Sequence, residues 1–338
     1  MKLKDMQRER LRGERDELCG LLLKEQIIRL TLRSGDRIHL APTPKVVQAF
    51  LAEQASIQAE LNTMRIQENK WREFAGELAY ALIQTLMAAN QYTNFRQQDI
   101  SRLERLFLSL LDQLAAFYEQ RERTPEMLVD ILRQHGFQVL LLLLGTNGTH
   151  FQLVEKDQLM VRQVPCSEYE APFQLELLGI ERERMQEPVL DLGCGSQGRL
   201  VQALREQGIE AYGLERTVSR ETPFIYGVNW LDFRFVPGKW GTIISNMAFS
   251  NHFWHHHIHK AGDYTTYAKK YMEILRSLQV GGSFIYAPGL PFIEPLLKKS
   301  EDTYTVRCRK LDPPALKPGL PEDIDASRWY VTQVIRER

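Results

Sequence analysis

The stretch VLDLGCGSQGRLVQALREQGIEAYGLER, residues 189 to 216, constrains the fold of this chain more than any other. VLDL reads as a short buried strand, the glycines at 193, 195 and 198 as a tight turn, VQALREQG as a helix, and EAYGLE as a second strand. Strand, crossover helix and strand at this spacing form a unit whose two strands lie parallel, with the helix covering one face of the sheet.

The same grammar continues to the C-terminus. GTIISNM (241 to 247), SFIYAP (283 to 288), TYTVRCR (303 to 309) and RWYVTQVIR (328 to 336) read as further strands, and YAKKYMEILRSL as a helix between them. The third strand is poorly defined. This predicts an α/β, Rossmann-like doubly wound sheet. Before it, from Pro44 to about Gln134, the spacing is helical. Thr43-Pro44 and Thr124-Pro125 each set a capping hydroxyl before a first-turn proline. Ser101 and Glu104 form a capping box ahead of a leucine stripe, and Trp71, Phe74, Leu78 and Leu82 repeat the helical period as core residues. Two hairpins are expected, Ile28–Leu32 with Arg37–Leu40 and Phe151–Val154 with Leu159–Val161. GTNGTH, 145 to 150, is the candidate linker. The predicted domains are thus a largely α-helical N-terminal one, 1–148, and an α/β one, 149–338, with its core starting near residue 165.

The 43 Lys and Arg balance the 43 Asp and Glu, so no net field draws the protein to nucleic acid or an anionic membrane. The N-terminus lacks an apolar signal core, and the longest apolar run, VLLLLL, is too short to span a bilayer. Four cysteines without CxxC spacing suit a reducing compartment, and the expected location is cytoplasmic.

What the glycine loop holds is read from its charge. GxGxxG alone is shared by many nucleotide-binding turns. Asp191, two residues before Gly193, would repel a pyrophosphate and attract a cationic ligand. Glu215, ending the next strand, suits the two hydroxyls of a ribose. The charge pattern favours S-adenosyl-L-methionine (SAM) over NAD.

VLDLGCGSQG resembles motif I of the class I SAM-dependent methyltransferases. Later segments fall in that family's order: Glu215 at the ribose acid, Asp232 and Phe233 in NWLDF beside the adenine, GTIISNMAF at the fourth strand, and LQVGGSFIYAPG at the glycine turn entering the fifth. The resemblance covers about the C-terminal half. It implies a mostly parallel sheet with an antiparallel last strand, and a SAM site built from Asp191, Gly193, Cys194, Gly195, Glu215, Asp232 and Phe233, with Asn246 bordering it. Cys194 reads as a small loop residue rather than a nucleophile.

Five of the eight histidines fall in NHFWHHHIHK, 251 to 260, just after the fourth strand. In such a sheet, that is the end where ligands gather. His252 is the candidate general base for a hydroxyl or amine acceptor, with His256 as the second choice. A metal site and a merely polar helix face are the alternatives; HxxHHHxH is no recognised ligand spacing, so no metal ligand is assigned. The expected activity is methyl transfer to an O or N atom of a small molecule or natural-product intermediate. The alternatives are a peptide or RNA recruited by the helical domain, an NAD-dependent oxidoreductase, and a non-catalytic scaffold. The helical domain is also the candidate surface for a homodimer. The Pro-rich segment 311 to 325 is the candidate wall of the acceptor site.

Overall fold

The computed structural model describes residues 37–39, 42–66, 68–148, 150–155, 158–164, 166, 168–218, 222–259, 262–298, 303–311 and 325–338. The chain divides into two compact units between Cys166 and Ser167. The sequence had set the boundary after Gly148. The reason for the difference is a small sheet: β2 (Phe151–Glu155) and β3 (Gln158–Val161) pair with each other, and β3 pairs with β1 (Arg37–His39), Arg37 facing Met160. The chain therefore returns to the N-terminal unit after its last helix. The second predicted hairpin is present; of the first, Ile28–Leu32 lies outside the described residues, and β1 pairs with β3.

The N-terminal unit is helical: α1 (Pro44–Ala52), α2 (Gln54–Arg65), α3 (Glu68–Ala89), α4 (Gln97–Glu119) and α5 (Pro125–Asn147). Thr43 and Thr124 cap α1 and α5, their hydroxyls accepting from the backbone N–H of Val46 and Met127. Trp71, Phe74, Leu78 and Leu82 are buried, as their spacing required. The Ser101 box is not the start of α4. The helix begins a turn earlier, where Asp99 accepts from the Arg96 N–H at 3.1 Å. GTNGTH is not a linker either: α5 runs through to Asn147, whose side-chain amide accepts from Asn94 N–H at 2.8 Å and donates to Asn94 C=O at 3.0 Å. By length and composition α5 could cross a membrane. Its Leu128, Leu132, Val139, Leu140 and Leu143 lie in the core of this unit.

The C-terminal unit starts with α6 (Ala171–Leu178) and is organised by a seven-stranded sheet. Its strands are β4 (Val189–Leu192), β5 (Ala211–Leu214), β6 (Ile225–Tyr226), β7 (Trp240–Asn246), β8 (Leu278–Ala287), β9 (Tyr304–Lys310) and β10 (Tyr330–Arg336). They lie in the order β6-β5-β4-β7-β8-β10-β9. Strands β4 to β8 pair in parallel, and β10 runs antiparallel between β8 and β9. This is the predicted Rossmann-like sheet, mostly parallel with an antiparallel last strand. The order reverses at β4, which opens the crevice between β4 and β7 at the carboxyl ends. LQVGG, expected as a turn, lies inside β8: Gly281 takes φ +79° where the pairing with β7 shifts register.

Both faces are covered. On one, Leu200, Val201 and Leu204 of α7 (Arg199–Glu206) bury against Val189, Ala211 and Ile244. On the other, α8 (Phe249–Ile258) and α9 (Tyr264–Ser277) bring Phe249, Phe253, Tyr267, Tyr271 and Ile274 onto Leu190, Leu214, Ile243 and Phe284. Burying each such side chain contributes about 1.5–3 kcal/mol. A short helix, α10 (Glu294–Lys298), follows β8.

Candidate cofactor and acceptor site

Sheet register gathers the first group of residues. Asp191 pairs with Gly213 on one side and Ile244 on the other. Side chains two residues apart on a strand share a face. Glu215, two beyond Gly213, and Asn246, two beyond Ile244, therefore lie on the face of Asp191, at the ends where the strands stop. All three are buried.

Their polar atoms are unequally served. Among the described residues, both carboxylate oxygens of Asp191 and both polar atoms of the Asn246 amide are buried without a hydrogen-bond partner. Burial raises the Asp191 carboxyl to about 7, and the neighbouring Glu215 pushes it the same way. Glu215 accepts through Oε1 from the Thr217 N–H at 2.9 Å and hydroxyl at 2.7 Å. An isolated buried carboxylate costs several kcal/mol unless neutralised or paired, so this corner fits a ligand that brings a cation and hydrogen-bonding groups.

The glycine loop is tight because three of its residues sit at positive φ: Gly193 at 83°, Gly195 at 77° and Gly198 at 58°. A Cβ on Gly193 would lie 2.5 Å from that of Ala248 and 3.2 Å from the Trp230 ring. The loop thus meets the segment leaving β7. There Met247 holds φ +54°, a left-handed conformation unusual for a side chain of that size, at the end of the strand. Ser245 ties the two strand ends together, donating to Leu192 C=O at 2.9 Å and accepting from Phe249 N–H at 3.0 Å. Cys194 is buried with its thiol pushed well above its ordinary range, first by burial and then by Asp191. Its backbone N–H donates to Leu214 C=O. A Cβ on Gly213 would lie 2.6 Å from its sulfur, so Cys194 fills the space under the loop. Glu168 closes the loop from before the first strand, accepting from Ser196 N–H at 2.8 Å and hydroxyl at 2.6 Å.

Asp232 is exposed, its N–H donating to Asn229 C=O at 2.9 Å. Phe233 stacks on Tyr226, centroids 6.5 Å apart, and its carbonyl accepts from Lys270 at 3.0 Å. Since the Tyr226 carbonyl accepts from the Glu215 N–H, Phe233 belongs to the Glu215 end of the site. The side chain of this loop that reaches the glycine turn is Trp230, which the sequence reading passed over. Its sequence signal is a large ring among other apolar residues, Val228, Leu231 and Phe233, in a connection without a clear period.

The histidine segment is helical, and α8 sorts it by face. His252 is buried, its Nδ1 3.5 Å from the Tyr267 hydroxyl and its ring edge-on to Trp230 at 4.9 Å. His256, one turn on, stacks on Tyr267 at 4.6 Å. Its Nδ1 accepts from the backbone N–H of Asp263 at 3.1 Å. Burial lowers its pKa to about 4, against an opposing push from Asp263. A neutral imidazole whose Nδ1 is an acceptor carries its proton on Nε2. In this arrangement His256 is a hydrogen-bond donor at Nε2. His255 and His259 lie together, centroids 4.1 Å apart, and His257 stacks on Phe292 at 3.7 Å. Among the described residues, no group of three or more His, Cys, Asp or Glu side chains is arranged to hold a metal ion. Of the Pro-rich segment, 312 to 324 lies outside the described residues.

No family model and no curated protein matches the chain. Among solved structures, it is similar to an S-adenosylmethionine dependent methyltransferase from Mesorhizobium loti, with 13% identity over 48% of this chain and 95% of that one and a TM-score of 0.33. It is also similar to 1,6-didemethyltoxoflavin-N1-methyltransferase from Burkholderia thailandensis, at 17% identity over 49% and 78% of the two chains and a TM-score of 0.32. A tRNA methyltransferase from Aquifex aeolicus is similar at 15% identity, 51% and 70% coverage and a TM-score of 0.31.

Proposed function

We propose that the C-terminal unit binds S-adenosylmethionine and transfers its methyl group to an oxygen or nitrogen of a small-molecule acceptor. The observation that carries this reading is the buried Asp191 carboxylate, with no partner on either oxygen. A pyrophosphate beside it would meet two carboxylates, Asp191 and Glu215, whereas an amino acid ammonium satisfies the one and ribose hydroxyls the other. Asn246 supplies a donor and an acceptor between them.

The bound cofactor supplies an electrophilic methyl on a sulfonium. The chain's part is to hold and exclude. Asp191 and Asn246 fix one end, and Glu215, held by Thr217, fixes the other. Ala248 and Trp230 close over Gly193, keeping water from the crevice. In this reading His252 takes the proton that an acceptor hydroxyl or amine loses as its lone pair forms the new bond to carbon. The acceptor is a small molecule because the histidine side of the site is walled by Tyr267, Trp230 and Phe249, and the chain carries no net charge for a polyanion.

Calorimetric titration of dialysed protein with S-adenosylmethionine, beside NADH, is the test. Saturable binding of the first, lost in Asp191→Ala and weakened in Glu215→Ala, is expected. Binding of NADH alone overturns the reading.

A further inference from the structure

Among the described residues of the C-terminal unit, the buried N–H donors without a partner include Trp230 Nε1 and His256 Nε2. These two flank His252. Trp230 meets that ring edge-on, and Tyr267 stacks on both histidines, at 6.5 Å from His252 and 4.6 Å from His256. The Asp263 N–H at Nδ1 fixes the His256 tautomer, so its Nε2–H is committed to donation before any ligand arrives. Arg216, at the end of β5, acts electrostatically on the same ring, as do His259 and Asp263.

We infer that the methyl acceptor carries an sp² oxygen, a carboxylate or a ring carbonyl, that takes hydrogen bonds from His256 Nε2–H and Trp230 Nε1–H. The inference rests on the methyltransferase reading for the word acceptor, but the binding site itself does not depend on it. Buried N–H groups without partners are costly, and an oxygen with two lone pairs answers both. A cationic or purely hydrocarbon acceptor leaves both donors stranded. His256 is then a positioning residue: it sets where the acceptor lies, while deprotonation falls to His252.

The experiment uses the full chain with ¹⁵N-labelled histidine and three probes of one shape: benzoate, benzamide and benzylamine. Imidazole spectra between pH 6 and 8 are expected to show His256 protonated on Nε2 throughout. Benzoate or benzamide is expected to shift that resonance saturably, and benzylamine to leave it unmoved. A response to benzoate alone makes the oxygen anionic; a response to both makes it a carbonyl-type acceptor. His256→Gln, which keeps a donor at the Nε2 position, should bind the active probe within about threefold of wild type, and His256→Leu about tenfold more weakly. A proton on Nδ1, equal shifts with benzylamine, or no shift with any probe overturns the inference. S-adenosylmethionine is titrated into the same samples. Cofactor binding without a probe response removes this inference alone. A probe response without cofactor binding removes the methyltransferase reading and leaves the oxygen site standing.

Discussion

Two buried carboxylates near the carboxyl ends of the same sheet have opposite surroundings. Glu294, in α10 after β8, accepts from the Tyr286 hydroxyl at 2.9 Å, Leu290 N–H at 2.7 Å, Thr332 hydroxyl at 2.7 Å and Tyr330 hydroxyl at 2.5 Å. Asp191, at the end of β4, accepts from nothing. Both are taken out of water, so both carry a desolvation cost. Only Glu294 has it offset by the protein. A buried carboxylate surrounded by donors from three parts of the chain is a fastener; one left bare in a crevice is what the proposed cofactor site would use to meet a cation.

The largest effect that would break this contrast is on stability. Glu294→Ala strands four donors around a cavity and should destabilise the protein by about 3–5 kcal/mol. Denaturant unfolding measures it, and a loss below about 1 kcal/mol would show that these hydrogen bonds are not holding α10 and β10 to β8. Asp191→Asn should act the other way: no loss of stability, and at pH 8 a gain of about 1–3 kcal/mol, since it removes an uncompensated charge. Its cofactor affinity should fall by roughly tenfold to a hundredfold. A destabilised Asp191→Asn with unaltered affinity would make Asp191 structural.

The pH dependence sharpens the same point. The Asp191 carboxyl is raised from 3.8 to about 7, so the folded protein holds a proton there that the unfolded chain releases. Its contribution to stability is therefore fully present below about pH 4 and is lost as pH rises toward 7. Binding of a cation has the reverse sign. The ligand pairs with the ionised form, so affinity for S-adenosylmethionine should fall about tenfold for each unit below pH 7, and flatten above it. Calorimetry in buffers of different ionisation enthalpy checks this: proton release on binding at pH 6, and none in Asp191→Asn.

How far the sequence could anticipate this contrast differs by residue. The βαβ unit was legible because an apolar run, positive-φ glycines and an amphipathic helix are local properties, and Asp191 stood out by its charge in a strand. That its carboxylate has no partner was not legible, since partners come from other strands. The third strand was missed because Ile225–Tyr226 is too short to show a period. The small sheet joins residues 151 to 161 to the N-terminal unit because β1 and β3 pair across a wide span of chain, and no local signal reports such pairing. The histidine run gave a helix and a location. The role of His256 depended on the N–H of Asp263, seven residues on, and adjacency in sequence carries no information about tautomers. Trp230 was overlooked for a related reason: only the fold brings it to Gly193.

The smallest effect tests whether Glu215 belongs with Glu294 or with Asp191. It is intermediate, with Oε1 serving Thr217 and its carboxylate still close enough to raise Asp191. If Glu215 is a fastener for its own turn, Thr217→Val costs stability and leaves cofactor affinity alone. If it is a ligand-binding acid that Thr217 merely aims, the substitution should cost under about 1 kcal/mol of stability and weaken S-adenosylmethionine binding about threefold. The second outcome is expected. A carboxylate held by one oxygen keeps the other for a ribose, and loss of the tether lets it turn without expelling it. Measured beside Glu215→Ala, which should cost more affinity than Thr217→Val, the pair separates aiming from binding at that one group.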